Sequence, residues 1–536
     1  MKYFASYKQS PVIADKYDVI FIGTGLGCLT AARLLADAGK KVLLLEKHYT
    51  PGGFTHTFKR NDYEWDVGVH YVGEMNRHNS LLYKLFDHIT SRRLKWEDMG
   101  DVYDNIVIQD RKYPFRKGTK NFVAGLKEHF PDPADQTAID QYLDAVFQCT
   151  RSAATYFAEK ALPSYVSMFS GPFMRKGFLK YAKRTTLDVL HDFTQNKELI
   201  AVLTGQYGDY GMPPGKSSFG MHATLVRHYL AGGSYPVGGA GAIFDSIAPS
   251  IMAAGGQIFI SAGVEQILVK NNKAYGVRME DGREILADIV VSGAGVHNTF
   301  LQLIPGDVLL KIPFRKQLVQ LKPSYGHLSL YMGFRESSDA LNLPRANYWY
   351  YPQGNDHDRA VEHYLKDPLN NDFPVIYMSF PSSKDPSFER RYPGRATVEL
   401  ITMIPYELFT RWEGTRWHKR GDDYNAIKEK LSQRLMEGLF ALEPGLRGKV
   451  DHYELSTPLT TKHFANYRRG EVYGLDHGPD RFEHKFLKPS TPIDNLYLTG
   501  QDIVSVGVGG ALMSGVLTAS AILKTNLITS LLKKEN

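Results

Sequence analysis

The stretch from Tyr17 to Glu46 constrains the chain more than any other. Tyr17–Ile22 (YDVIFI) reads as a short buried strand and Gly23–Cys28 as a glycine turn. Leu29–Gly39 carries a helical apolar pattern closed by a glycine, and Lys41–Glu46 (KVLLLE) is a second apolar strand. Two strands joined through a helix must be parallel, with a right-handed crossover. The turn itself, Gly23-Thr24-Gly25-Leu26-Gly27-Cys28, lets backbone come close to a pyrophosphate. The helix start adds free N–H groups and a positive dipole. Glu46 lies 23 residues past Gly23, near the spacing of about 20 at which an acid binds ribose hydroxyls. A carboxylate there repels a 2′-phosphate, so FAD or NAD is expected rather than NADP. Cys28 stands where the strict motif has its third glycine. It is small, Gly27 sits beside it, and it reads as a packing residue.

The 536 residues exceed what one core supports, so two domains are expected. Apolar strands return at Gly256–Ile260, Val264–Val269 and Asp288–Val291. Ala274–Leu286 reads as a hairpin turning at Asp281-Gly282. Asn495–Leu523 reads as a strand followed by a glycine-rich helix. The fold class is therefore α/β: a Rossmann-type nucleotide-binding domain, FAD or NAD being the expected ligand, in three segments (1–104, 219–323, 456–536). An α+β substrate domain is inserted in two pieces (105–218, 324–455). The uncharged run Ile503–Leu523 is long enough to cross a bilayer. Its glycines and the preceding Asp502 favour a buried helix instead.

Composition excludes several classes. Net charge +7 and pI near 8.9 suit anionic surfaces or phosphates without requiring nucleic acid. Two cysteines, Cys28 and Cys149, give no disulfide framework, and no metal site is expected. Gly211-Met212-Pro213-Pro214-Gly215-Lys216-Ser217 has one residue too few for a P-loop, and its prolines remove donors a phosphate needs; it reads as a structural turn. Met1–Lys16 holds no apolar core of signal-peptide length, so a cytoplasmic location, peripheral to a membrane, is the expectation. Lys533-Lys534-Glu535-Asn536 reads as a solvated charged tail.

Further motifs carry a resemblance. These are Pro51-Gly52-Gly53-Phe54-Thr55, Asp66-Val67-Gly68-Val69-His70-Tyr71-Val72-Gly73, Gly208-Asp209-Tyr210-Gly211-Met212-Pro213-Pro214, and His228-Tyr229-Leu230 leading to Tyr235-Pro236-Val237-Gly238-Gly239. Thr457-Pro458-Leu459-Thr460, Tyr473-Gly474 and Asn495–Asp502 (NLYLTGQD) follow in order. Together they resemble the retinol saturase, phytoene desaturase and carotenoid isomerase family of FAD-dependent oxidoreductases across nearly the whole chain. The resemblance implies FAD held by Gly23, Gly25, Leu26 and Gly27 at the pyrophosphate and by Glu46 and Lys47 at the adenosine ribose. Gly52, Gly53 and Phe54 would lie on the flavin side, with Val264 at adenine. Gly500 and Asp502 would lie near the ribityl chain or pyrophosphate, a plain N-cap being the alternative for Asp502.

The resemblance also implies chemistry at a C=C bond of a hydrophobic polyene. Saturation is the first expectation; isomerisation, desaturation and a flavin-containing lipid carrier are the alternatives. His70, Tyr71, His222 and Tyr235 are candidate proton donors, each set against the commoner role of filling core space. Met168, Phe169, Phe173 and Met174 alternate with Arg175, Lys176, Lys180 and Lys183. Residues 165–190 thus read either as a membrane-facing segment or as a solvated helix. Val290–Gly295 (VVSGAG) looks like a second nucleotide turn, but no helix and acid follow at suitable spacing. NAD(P)H is accordingly expected as a transient donor, or behind a partner reductase.

Overall fold

The computed structural model describes residues 3–9, 12–162 and 164–534; Glu535 and Asn536 of the charged tail lie outside the described residues. The strands Lys16–Ile22 and Val42–Leu45 flank the helix Leu26–Asp37 and pair in parallel, Val19 facing Val42. Alternate residues feed two cores. Val19, Phe21, Val42 and Leu44 face one, while Ile20, Ile22, Leu43 and Leu45 face the other. A parallel sheet covered on both faces requires this pattern, and it explains why both runs are continuously apolar. Gly39, at φ +78°, ends the helix turn.

Eight strands make this sheet. From one edge they run Ala5–Ser6, Gln257–Ile260, Val42–Leu45, Lys16–Ile22, Glu284–Ser292, Lys273–Met279 and Val264–Lys270, with Leu496–Leu498 also paired to Glu284–Ser292. The last three strands of that row form an antiparallel meander; the other pairings are parallel. The hairpin and the strand expected at Asp288–Val291 merge, because Glu284–Ser292 runs unbroken from the hairpin into the parallel sheet.

A second, seven-stranded sheet is built from two stretches of chain. Its order is Val450–Ser456, Gly326–Phe334, Ala396–Ile404, Ile376–Ser379, Asn347–Tyr351, Val102–Ile108 and Arg111–Arg116. Helices Pro133–Glu159, Ser164–Ala182 and Phe219–Tyr229 pack on one another and join its core. The hairpin of Thr57–Arg60 and Tyr63–Asp66 docks onto this sheet. Trp65 Nε1 donates to Met332 O at 2.9 Å, and Gly333 leaves room for the Tyr63 ring, which a side chain there would meet at 2.8 Å.

The C-terminal helix is Gly507–Leu523. It is buried along Ser514–Ser520 and lies across the first helix, where a side chain at Gly515 would meet Gly27 O at 2.5 Å. No helix among the described residues is long and apolar enough to cross a membrane.

Candidate active site

The glycine turn opens onto a groove of about 310 Å³. Gly23 adopts φ +101° and its N–H donates to Leu45 O at 2.7 Å. Thr24 donates twice to Glu46 Oε2, from N at 2.9 Å and from Oγ1 at 2.6 Å, while His48 N donates to Oε1 at 2.9 Å. The carboxylate is thereby fixed at the mouth of the turn with lone pairs left for ribose hydroxyls. A side chain at Gly25 would meet nothing within 4 Å, whereas one at Gly27 would meet Gly500 N at 2.8 Å. Gly25 thus leaves open space over the helix start, and Gly27 allows close packing beneath it. Cys28 is fully buried against Gly293, its Sγ 3.7 Å from Ile22 O, and burial pushes its thiol pKa up. The missing third glycine is balanced by a glycine on the neighbouring strand end, and Cys28 packs.

Every residue assigned above to the cofactor lines this groove except one: Gly23, Gly25, Leu26, Gly27, Glu46, Lys47, Gly52, Gly53, Phe54, Val264 and Gly500. Gly52 is at φ +116° and its N donates to Thr24 Oγ1 at 2.9 Å; Phe54 stacks on Tyr467 at 5.7 Å. Asp502 is the exception. Its carboxylate accepts from Val296 N and Leu475 N, each at 2.9 Å, and it sits behind the wall made by Gly500 and Gln501. Nor does it cap the helix, whose N-cap is Val506. Asp502 ties three chain segments together, and the N-cap role does not hold. The VVSGAG run also lies here: Gly293 and Ala294 line the same groove.

The groove meets a second cavity of about 440 Å³. Val67–Val69, His327, Val472, Tyr473 and Val506–Val508 border both, so the N-terminus of the C-terminal helix points at the junction. The walls are largely apolar, with Phe157, Met221, Leu225, Ile401 and Met403 among them. The glycines of the Gly208–Pro214 block make room for rings: Gly211 lies under Tyr473, which a side chain would meet at 2.9 Å. This explains the P-loop-like run as a structural turn.

The candidate proton donors part company. His70 and Tyr71 line the cavity. His222 does not: Tyr142 Oη lies 2.7 Å from its Nε2 and Tyr210 Oη 3.1 Å from its Nδ1. Burial pushes its pKa down to about 3, and it is a satisfied core histidine. Tyr235 is buried away from both cavities, its hydroxyl bonded to Asp66. Their places in apolar, aromatic-rich segments gave no signal separating cavity wall from core.

Behind His70 lies a buried cluster of titratable groups. Its Nδ1 is 2.9 Å from Glu399 Oε2. Asp66 N donates to Glu399 Oε1 at 2.9 Å, and Ala240 N to Asp66 Oδ1 at 2.8 Å. Lys384 Nζ donates to His70 O at 3.1 Å and to Ser379 Oγ at 2.8 Å. Burial raises Glu399 to about 8 and lowers Lys384 to about 7; burial and the Glu399 charge raise Asp66 to about 7. Burial lowers both His70 and His327 to about 4, so both imidazoles are neutral near pH 7. His327, Tyr473 and Asp209, all on the walls, were not among the expected site residues, although Asp209 and Tyr473 lie in the motifs quoted for the resemblance.

A Rossmann-type groove opening onto an apolar cavity defines a flavin-dependent oxidoreductase. The family model for flavin containing amine oxidoreductases matches residues 29–523, and the chain belongs to that family. It is 37% identical to the all-trans-retinol 13,14-reductase of Homo sapiens over 97% of this chain and 87% of the relative. The chloroplastic prolycopene isomerase of Arabidopsis thaliana is 27% identical over 94% of this chain and 82% of its own. An oxidoreductase structure from Methanosarcina mazei shares the fold at TM-score 0.62 and 15% identity, covering 95% of this chain and 100% of that one.

The geometry separates cofactor loss from unfolding. Gly25→Val is expected to fold with near wild-type thermal stability, since its side chain enters empty space, yet to purify colourless. Glu46→Lys is expected to bind FAD about 10- to 100-fold more weakly, the range of lost charge-assisted hydrogen bonds. Flavin absorbance with a thermal melt checks both; full FAD occupancy in either variant contradicts its assigned contact.

Proposed function

We propose that the protein is an FAD-dependent reductase that saturates a C=C bond of a polyene lipid such as a retinoid or carotenoid. The observation carrying this reading is the shared wall at Val67–Val69, His327, Tyr473 and Val506–Val508. It brings an elongated apolar ligand against the flavin end of the groove, and the named activity of the human relative supports the reaction. Bound and reduced, FAD supplies a hydride; the chain's task is to lay the polyene along the cavity, exclude water and deliver a proton. The prolycopene isomerase likeness gives the second reading, isomerisation on the same scaffold.

Two partners belong to the proposal. Met168, Phe169 and Phe173 are exposed on helix Ser164–Ala182, Phe173 at 83%, beside exposed Lys176, Lys180 and Lys183. That helix packs on Pro133–Glu159, whose Thr150, Ala153, Ala154 and Phe157 line the cavity. An apolar, basic surface next to the cavity suits a peripheral contact with an anionic membrane from which the lipid enters. The electron donor is the other. With VVSGAG folded onto the FAD groove, NAD(P)H has no second strand–glycine–helix site among the described residues, so it binds transiently or acts through a reductase.

Dithionite-reduced holoenzyme mixed anaerobically with all-trans-retinol or a carotene is expected to shorten the absorbing chromophore and add two hydrogens to the product mass. A retention shift without mass change identifies an isomerase, and unchanged polyene a carrier. Phe169→Asp/Phe173→Asp is expected to lose flotation with anionic vesicles while keeping flavin absorbance; equal flotation overturns the membrane contact. In stopped-flow mixing, NADH and NADPH alone are expected to leave the flavin oxidised on the turnover timescale, and rapid saturable bleaching contradicts this.

A further inference from the structure

Saturation needs a proton at the carbon beside the one that receives hydride, so the cavity wall must hold an acid in its proton-bearing form. Hydrogen-bond accounting locates one. Tyr71 Oη lies 2.9 Å from Asp104 Oδ2 and 3.1 Å from Asp209 Oδ2. A phenol has a single hydrogen to donate. Between two carboxylates, one contact would set oxygen lone pairs against each other. The arrangement is satisfied when one carboxyl carries a proton and donates it to the phenol oxygen.

The surroundings decide which carboxyl that is. Asp104 accepts from Gln206 Nε2 at 2.6 Å and from Asn347 Nδ2 at 2.8 Å, donors that suit an anion. Asp209 has no side-chain or backbone donor to its carboxyl other than Tyr71 among the described residues. Its electrostatic neighbours are Asp104 and the phenols of Tyr71, Tyr210, Tyr229, Tyr351, Tyr377 and Tyr473. Among the described residues no cation is paired with it. Asp209 and Tyr71 both line the cavity, whereas Asp104 does not. Asp209 also acts on Tyr473, a residue at the junction of groove and cavity.

We propose that Asp209 is the general acid of the reduction, a neutral carboxylic acid on the cavity wall linked through Tyr71 to the anionic Asp104. The proposal rests on the reductase reading above. Hydride from reduced flavin adds to one carbon of the C=C bond, and the electron pair left on the adjacent carbon takes the Asp209 proton. Two C–H bonds form, the π bond is lost, and the flavin is oxidised. Asp209 becomes a carboxylate that accepts the Tyr71 hydroxyl, and solvent reprotonates it when product leaves. Burial and the Asp104 charge hold its pKa well above the ordinary carboxylate range, consistent with a proton retained near pH 7. An apolar site keeping a carboxylic acid neutral so that it can donate is a known use of burial.

Infrared difference spectra of holoenzyme against Asp209→Asn should show a carboxylic-acid carbonyl band near neutral pH that shifts in D2O and is absent from the variant. Tyr71→Phe should move that band without abolishing it. Asp209→Asn should keep its flavin and bind polyene but saturate it about 100-fold or more slowly, with Asp209→Glu recovering part of the rate. The acid form is required, so the wild-type rate should hold at low pH and fall as pH rises through the Asp209 pKa; the Asn variant should lack that limb. No difference band, or an Asn variant at wild-type rate, overturns the acid while saturation by the wild type still stands. A wild type that never saturates a polyene overturns the reductase reading and the acid with it.

Discussion

The first helix and the C-terminal segment touch backbone to backbone at Gly27. A side chain there would meet Gly500 N at 2.8 Å, and one at Gly515 would meet Gly27 O at 2.5 Å. Interiors packed this densely do not absorb an added methyl without movement. The contact closes the groove from below with residues nearly 500 positions away in sequence, and Gly25 above it keeps the space a pyrophosphate needs. It also aims the C-terminal helix: with Gly515 lying across the first helix, Gly507 and Val508 reach the junction with the second cavity. The positive end of that helix's dipole is thereby set at the junction of groove and cavity.

The hairpin that follows the nucleotide turn meets the second sheet over buried titratable groups. Asp66 ends the hairpin that follows the nucleotide turn, Glu399 lies in the middle of the second sheet, and Lys384 follows Ser379. Burying such groups in their charged forms is costly unless partners replace water, and burial accordingly shifts Asp66 and Glu399 up and Lys384 down toward their neutral forms. Here the Asp66 carboxyl takes a backbone N–H and the Tyr235 hydroxyl, and Glu399 takes Asp66 N. Tyr235 is therefore a partner that makes a buried acid tolerable, which accounts for a tyrosine at that place without any contact to ligand. The same accounting applies to His222, whose two nitrogens are both met by tyrosine hydroxyls in the core.

The β-α-β unit was legible because its signals are local: buried strands, a tight turn and an acid at a fixed spacing. The groove wall was legible for the same reason where glycines marked close backbone approach. The structural part played by Asp502 was not legible because its hydrogen bonds are long-range. It accepts N–H groups from Val296 and Leu475, and nothing in the local sequence distinguishes a carboxylate that clamps loops from one that meets a cofactor. The cavity walls were least legible. They are drawn from the Val67–Tyr71 run, four helices and strands of the second sheet, and whether a tyrosine faces the cavity or the core depends on packing that no local pattern encodes. Asp209 stood in a quoted motif, but its distinction comes from what Tyr71 and Asp104 do around it.

That environment bears on why one scaffold serves relatives with different reactions. Reduction and isomerisation both need a polyene held along a flavin, and an apolar cavity meeting the groove meets that need for either. Reduction alone consumes a proton at carbon in every turnover. The wall of this cavity places a carboxyl beside a phenol already committed to a second carboxylate with two amide donors of its own. A carboxyl so placed keeps its proton because ionising it would put two negative charges on one hydroxyl in a low-dielectric wall, where Coulomb repulsion is far stronger than in water. The second carboxylate, Asp104, therefore contributes from behind the wall: burial raises it to about 6 against the donors Asn347 and Gln206, so near neutral pH it is the anion that fixes the proton on the group that faces the cavity.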